Sequence, residues 1–184
     1  RKPVLSFGKV PVFTAPGGFL QAVRRVEEAM AALVCSHLAK SKRVCDLFAG
    51  AGSFTFRLAE NCAVHAVESD AGSIAALDLA RKHVQGLKPV SAEKRDLFRR
   101  PLTHVELKAY DGLVFDPPRA GAEAQCAALA KSSVRRVAAV SCNPLSLARD
   151  LRILIDGGYK LVSVAPFDQF LWSPHVEAVA LLER

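Results

Sequence analysis

Short apolar runs alternate with helical apolar stripes along most of this chain. Runs rich in β-branched and apolar residues predict strands at residues 43–48, 63–67, 89–92, 112–115, 134–140, 161–165 and 176–182. Stripes at three- and four-residue spacing predict helices at residues 19–38, 53–60, 71–84, 122–130 and 145–155. We interpret residues 1–40 as an N-terminal segment with a leading helix, and residues 41–184 as the main domain.

The alternation of strands and helices predicts the fold class. Such an order requires a mostly parallel sheet with helices on both faces, so we predict an α/β fold with a seven-stranded sheet. Only residues 166–175 separate the final two predicted strands, with no helix between them. We therefore expect the last strand to run antiparallel.

Composition narrows the class of protein. The 184 residues, 51% of them hydrophobic, fit one globular domain with a sizeable core. No apolar run could span a bilayer and no signal peptide is present, so we expect a cytoplasmic protein with no membrane partner. The five cysteines lack paired metal-ligand spacing, which predicts reduced thiols and no metal. The sequence begins at Arg1 rather than at methionine, so we expect a domain of a longer protein.

The charge balance indicates a polyanionic partner. The formal net charge is +7 at pH 7, and basic pairs recur along the sequence. Basic domains bind nucleic acid through phosphate contacts. The alternative is that these side chains are scattered over solvated faces.

A glycine-rich turn follows the first core strand, in Asp46-Leu-Phe-Ala-Gly-Ala-Gly-Ser-Phe54. Gly50 and Gly52 permit a sharp turn and close approach of a ligand. The third glycine of the dinucleotide fingerprint and the Gly-Lys-Ser/Thr of triphosphate binders are both missing. Glu68 and Asp96 end the next two strand regions, where they would suit a ribose and an adenine amino group. Each acid alone could be a surface or capping residue, but together they favour an adenosyl ligand.

Two further segments carry candidate chemistry. In Asp116-Pro-Pro-Arg119, paired prolines follow an apolar strand and can hold Asp116 toward the ligand edge of the sheet. Cys142 lies where a strand pattern gives way to a helix pattern, and we expect the helix dipole to favour its thiolate. The alternative for Cys142 is an inert packing thiol.

Four motifs together carry a family resemblance. They are Asp46-Leu-Phe-Ala-Gly-Ala-Gly52, Asp116-Pro-Pro-Arg-Ala-Gly121, Ser141-Cys-Asn-Pro144 with Leu147-Ala-Arg-Asp150, and His175-Val-Glu177. Across nearly its whole length the chain resembles the S-adenosylmethionine-dependent RNA 5-methyluridine methyltransferases, which act on tRNA or 23S rRNA. The resemblance implies a Rossmann-like class I methyltransferase fold, S-adenosylmethionine as cofactor and RNA as partner. It also implies that an OB-like domain or an iron–sulfur cluster can lie upstream in a full-length chain.

The resemblance also implies roles for individual residues. Cys142 is the implied nucleophile, which adds to carbon 6 of uracil, and Glu177 is the implied base, which removes the carbon 5 proton. The implied cofactor contacts are Gln21, Phe48, Ser53, Glu68, Asp96 and Asp116, in a pocket shaped by Gly50 and Gly52. The chain departs from many relatives near Gln21, where an asparagine is missing, and from some at Ser53, where they carry asparagine.

Two other functions remain open at this point. One is an RNA-binding or ribosome-associated module that keeps the fold without turnover as an isolated domain. The other is a cytosine-C5 methyltransferase, since thiolate addition also serves cytosine, although Ser141 stands where DNA cytosine enzymes commonly carry proline. The presence of both Cys142 and Glu177 favours an active RNA (uracil-5-)-methyltransferase.

Overall fold

A computed structural model describes residues 4–13, 23–168 and 176–184. The predicted cofactor contact Gln21 and the motif residue His175 lie outside these ranges. The strands are β1 (Val4–Phe7), β2 (Val10–Phe13), β3 (Arg43–Leu47), β4 (Ala63–Glu68), β5 (Val90–Lys94), β6 (Gly112–Phe115), β7 (Arg136–Ser141), β8 (Lys160–Phe167) and β9 (Glu177–Glu183). The helices are α1 (Arg24–Leu38), α2 (Ser53–Leu58), α3 (Ala71–His83), α4 (Glu123–Ala130) and α5 (Pro144–Asp156), with a 3-10 turn at Glu106–Ala109.

Seven strands form one sheet in the order β5-β4-β3-β6-β7-β9-β8. The first five in this order are parallel neighbours, whereas β9 pairs antiparallel with both β7 and β8. The predicted fold class, including the antiparallel last strand, is therefore confirmed. The insertion of β9 between β7 and β8 brings the end of the chain into the middle of one half of the sheet.

Helices cover both faces of the sheet. On one face, Met30 and Val34 of α1 pack with Val114 of β6. On the other face, Leu113 and Phe115 of the same strand pack in a cluster with α4 and α5. Every residue of β6 is buried, because successive side chains of a central strand enter opposite cores.

An N-terminal hairpin was not predicted by the hydrophobic pattern. β1 and β2 form a separate two-stranded sheet, joined at Gly8, which has a φ of 59°. The buried side chains of Val10 and Val12 alternate with exposed ones, and they pack with Phe56 and Leu77. The hairpin thereby extends the same face of the molecule that α2 and α3 cover.

Candidate active site

A cavity of about 900 Å³ lies where the parallel strands end. This edge collects the turns that follow β3, β4, β6 and β7. The predicted site residues that line the cavity are Phe48, Gly50, Ser53, Glu68, Asp116, Cys142 and Glu177. Two others, Gly52 and Asp96, are not among its lining residues.

The glycine-rich turn contains three residues with positive φ, namely Phe48, Gly50 and Gly52. Phe48 has a φ of 59°, and it is the sole non-glycine residue with positive φ in the described ranges. Gly50 also has positive φ, and nothing lies within 4 Å of the place where a Cβ would project. At Gly52 a Cβ would meet the Phe56 ring at 2.8 Å. Gly52 thus allows the turn to pack on α2, while Gly50 faces the open cavity.

The Glu68 carboxylate joins the two turns beside the cavity. Its Oε2 accepts a hydrogen bond of 2.9 Å from the Gly50 amide. Its Oε1 accepts bonds from the amides of Ser69 at 2.6 Å and Asp70 at 2.8 Å. Each carboxylate oxygen has about two acceptor positions. Glu68 can therefore shape the turn and still accept a ligand hydroxyl.

Asp96 lies in the turn after β5, and its carboxylate accepts hydrogen bonds within that turn rather than lining the cavity. Its Oδ1 accepts hydrogen bonds from the amides of Phe98 at 3.0 Å and Arg99 at 3.3 Å. Phe98 lines the cavity instead, with its ring centroid 5.5 Å from that of Phe48. Sequence reasoning missed Phe98, although an aromatic residue two positions after a strand-end acid was a visible signal.

Register brings Cys142 and Glu177 to the same place. Ser141, the last residue of β7, pairs with Ala178 on β9. Cys142 directly follows the end of β7, and Glu177 is the first residue of β9, so both reach the cavity from adjacent strands. Glu177 is 2% exposed, whereas Cys142 is partly exposed.

The site has a strongly acidic interior. Burial, followed by the charges of Glu177 and Asp46, raises the pKa of Asp116 to about 7. Burial also raises the pKa of Asp46 to about 7, although Thr55 opposes this by donating a 2.5 Å hydrogen bond to Oδ2. Asp46 Oδ1 is buried and has no hydrogen-bond partner within the described residues. Such a group favours a cation or a donor beside it.

The expected thiolate at Cys142 is not what the site favours in the absence of ligand. Burial and the charges of Glu177 and Asp116 raise the pKa of the thiol, while its own backbone and Arg119 oppose that shift. The thiol does precede α5, as expected. Desolvation and nearby negative charge both disfavour a thiolate, whereas the start of a helix favours one.

Several lining residues come from segments that the sequence reasoning did not assign to the site. The hairpin contributes Leu5 and Ser6, and the first turns of α1 contribute Arg24 and Glu27. Nothing in the local pattern of these residues marked them as site residues. In contrast, Arg119 could have been assigned from its place in the Asp-Pro-Pro-Arg motif.

Two classes of feature are missing from the described ranges. They contain no group of three or more His, Cys, Asp or Glu side chains arranged to hold a metal ion. Within the same ranges, no helix combines the length and apolar character needed to cross a membrane.

Relatives with similar sequences are named as RNA methyltransferases. A protein of Agrobacterium fabrum (strain C58), named as an uncharacterized RNA methyltransferase, is 60% identical over 184 residues, which are 100% of this chain and 44% of that protein. The 23S rRNA (uracil(1939)-C(5))-methyltransferase of Chromohalobacter salexigens is 41% identical over 174 residues, covering 92% of this chain and 35% of the relative. The chain thus spans less than half the length of either relative.

A solved structure shows the same architecture. The tRNA (uracil-54, C5)-methyltransferase of Pyrococcus abyssi, in complex with S-adenosyl-L-homocysteine, aligns with a TM-score of 0.79 and 25% identity. The alignment covers 98% of this chain and 44% of that chain. The sheet described above is thus that of a class I methyltransferase. The profile of the tRNA (uracil-5-)-methyltransferase family matches residues 12–184, and the chain therefore belongs to that family.

Proposed function

We propose that this protein transfers a methyl group from S-adenosylmethionine to carbon 5 of a uridine in rRNA or tRNA. The observation that carries the proposal is the placement of Cys142 and Glu177 in the same cavity as the glycine-rich turn and Glu68. Relatives named as uracil-C5 methyltransferases of 23S rRNA and tRNA support the substrate class. We further propose that the protein acts in the cytoplasm, where these RNAs are available.

The cavity residues fit S-adenosylmethionine. When bound, this cofactor supplies an electrophilic methyl group on a positively charged sulfur. Glu68 would accept hydrogen bonds from its ribose hydroxyls, and the Phe48 and Phe98 rings offer an apolar surface for adenine. The Asp116 carboxyl group at the cavity wall suits the ammonium and sulfonium charges, with the buried Asp46 behind the cavity wall. Gln21, Ser53 and Asp96 stay proposed contacts on the family resemblance.

The proposed mechanism assigns successive steps to two residues. Cys142 loses its proton and adds through sulfur to carbon 6 of uracil, which places an electron pair on carbon 5. Asp116 lines the same cavity and would take this proton, so that Glu177 stays ionised for the later step. After carbon 5 has gained the methyl group, Glu177 removes the carbon 5 proton. The carbon 6–sulfur bond then breaks, which restores the ring double bond and the free thiolate.

The target base must leave its stack to react in this cavity. A paired or stacked uracil cannot present carbon 6 to a recessed thiol, so we expect the uridine to be flipped or already unpaired. Arg119 is exposed at the cavity wall and can contact an RNA phosphate there.

Nucleoside mass spectrometry of RNA from cells that lack the gene tests the proposal. We expect rRNA or tRNA to lose 5-methyluridine at one position, and the wild-type gene to restore it. A gene that encodes Cys142→Ala is expected to leave it missing. Unchanged 5-methyluridine in the deleted strain, or a lost 5-methylcytidine instead, would contradict the proposed reaction.

A further inference from the structure

The helix that follows the nucleophile also holds the loop that carries Asp116. This loop, residues 116–122, runs from the end of β6 to the start of α4. Three side chains bind its backbone at closely spaced positions: one belongs to the N-cap residue of α5 and two lie in the middle of that helix. The bonds are Asn143 Nδ2 to the Arg119 carbonyl at 3.0 Å, Arg149 Nη2 to the Ala120 carbonyl at 2.9 Å, and the Ala122 amide to Asp150 Oδ2 at 2.6 Å.

Asp150 and Arg149 form a pair that holds the loop, and Arg149 Nη1 also lies 3.3 Å from Glu123 Oε2 on α4. Asp150 is 1% exposed, and its Oδ1 accepts bonds from Arg149 Nε at 3.0 Å and Nη2 at 2.7 Å. Its Oδ2 accepts the bond from the loop. Because a buried carboxylate is stable only when it is paired and hydrogen-bonded, loss of either partner would disturb the loop.

The loop lies so close to this pair that only glycine fits between them. Gly121 has a φ of 78°, and a Cβ there would meet Arg149 Nη2 at 2.5 Å and Asp150 Oδ2 at 2.6 Å. The backbone is therefore held by direct contact as well as by hydrogen bonds. This geometry leaves the loop little freedom to move relative to α5.

The cofactor side of the cavity is built separately. Gly50 lies after β3, Glu68 ends β4 and Phe98 lies after β5, all in the other half of the sheet. None of the three hydrogen bonds from α5 reaches those turns. A disturbance of the contacts between α5 and the loop should thus reach Asp116 and the uracil side of the site, and leave the turns at the adenosine end of the cofactor pocket in place.

We propose that Arg149 and Asp150 are positioning residues that fix the Asp116–Arg119 segment relative to the Cys142 thiol. The helix α5, which follows the nucleophile, then also sets the place of Asp116 and Arg119 beside it. The inference rests on the proposed function, since it assigns these residues to thiol addition and methyl transfer. It gives a role to the second half of the Ser-Cys-Asn-Pro motif, Leu147-Ala-Arg-Asp150.

The test uses Asp150→Asn in the whole protein. The probes are 23S rRNA and tRNA transcripts that contain 5-fluorouridine. They trap the covalent complex after methyl transfer, because carbon 5 then carries fluorine in place of the proton that the base must remove. We expect the rate of covalent complex formation to fall about 10- to 100-fold, as displaced reacting groups lose rate steeply. We expect the RNA concentration for half-maximal rate to change by less than about 2-fold. We expect S-adenosylmethionine affinity by calorimetry to fall by less than about 3-fold, because the contacts to its adenosine part stay in place.

Two further variants separate positioning from folding. Arg152→Ala is the matched control, because Arg152 lies on the same helix, is 74% exposed and pairs only with Asp156 at 3.7 Å within the described residues. Arg149→Lys keeps the charge and removes the forked contact, and serves if Asp150→Asn does not fold. A rate for both variants equal to that of Arg152→Ala would overturn the inference, and so would cofactor affinity that falls in parallel with the rate. If the wild-type protein traps neither RNA, the proposed function fails first, and this inference fails with it.

Discussion

At the scale of single residues, the site holds more negative charge than its nucleophile favours. Three acids, Asp46, Asp116 and Glu177, influence one another or the Cys142 thiol, and burial strengthens each effect. The sequence predicted that Cys142 would precede a helix, which is correct. It could not predict the thiol's ionisation, because Glu177 comes from a strand whose place in the sheet is not readable from its residues. We therefore expect a positively charged ligand in the cavity, such as S-adenosylmethionine, to lower the pKa of the Cys142 thiol.

The first prediction concerns the reactivity of Cys142 toward iodoacetamide in protein without cofactor. Because Asp116 helps to raise the pKa of this thiol, Asp116→Asn is expected to increase the thiolate fraction at pH 7. We expect alkylation at Cys142 to be about 2- to 10-fold faster in the variant, since one pKa unit changes the thiolate fraction about tenfold. Peptide mass spectrometry measures the rate, with buried Cys126 as the internal control. Slower or unchanged alkylation would contradict the acidic coupling.

The second prediction concerns the pH dependence of stability in the same variant. The folded state raises the pKa of Asp116 from 3.8 to about 7, so the folded protein holds this proton more tightly than the unfolded chain. The ionisation of Asp116 therefore lowers the free energy of unfolding of the wild type as pH rises from about 4 to about 7, and this decrease is complete above that range. Asp116→Asn removes this decrease.

Urea unfolding at about pH 4.5 and pH 8 measures the difference. The variant is expected to gain about 1 to 3 kcal/mol relative to wild type between these pH values. Asp156→Asn changes an exposed acid on α5 and serves as control. If the difference in the free energy of unfolding between variant and wild type is the same at both pH values, ionisation of Asp116 does not destabilise the fold, which would contradict the prediction.

At the scale of elements, periodicity predicted the sheet well and the hairpin poorly. The inner strands, such as β6 and β9, have the apolar runs that burial on two faces requires, whereas the edge strands β5 and β8 are largely exposed or half-buried. The alternation of strands with helices still made the order of all seven in sequence readable. The hairpin strands have four residues each, and Pro11 interrupts the second. The two-residue connection at Gly8 and Lys9 was a hairpin signal that the pattern of longer elements obscured. As a result, the hairpin wall of the cavity emerged only from the structure.

The turns after β3 and β4 depend on one carboxylate, which gives the third prediction. Glu68→Ala removes acceptors for the Gly50, Ser69 and Asp70 amides and for a ribose. We expect S-adenosylmethionine binding to weaken by about 1 to 3 kcal/mol, as a charged hydrogen-bond partner is lost. Isothermal calorimetry measures it, with Asp78→Ala, on the exposed side of α3, as control. Equal affinities for the two variants would remove Glu68 from the cofactor site.

At the scale of the whole molecule, topology assembles a site from distant parts of the sequence. The resemblance of four motifs identified Cys142 and Glu177, but it did not show that the two residues lie close together in the fold. The structure supplies the missing relation, because β9 pairs with β7 in the register that joins Ser141 to Ala178. The chain spans 44% of the Agrobacterium relative, so selection of one RNA is a property to test in the whole protein.

The covalent protein–RNA complex is the most direct test of the central claim, since only the proposed mechanism gives the two acting residues opposite phenotypes. In the whole protein with S-adenosylmethionine and unmodified 23S rRNA or tRNA, Glu177→Gln is expected to methylate and then release slowly. It should accumulate a complex that survives denaturation and maps to Cys142 by mass spectrometry. Cys142→Ala is expected to form neither the complex nor 5-methyluridine. Substantial uridine methylation by Cys142→Ala would contradict the account.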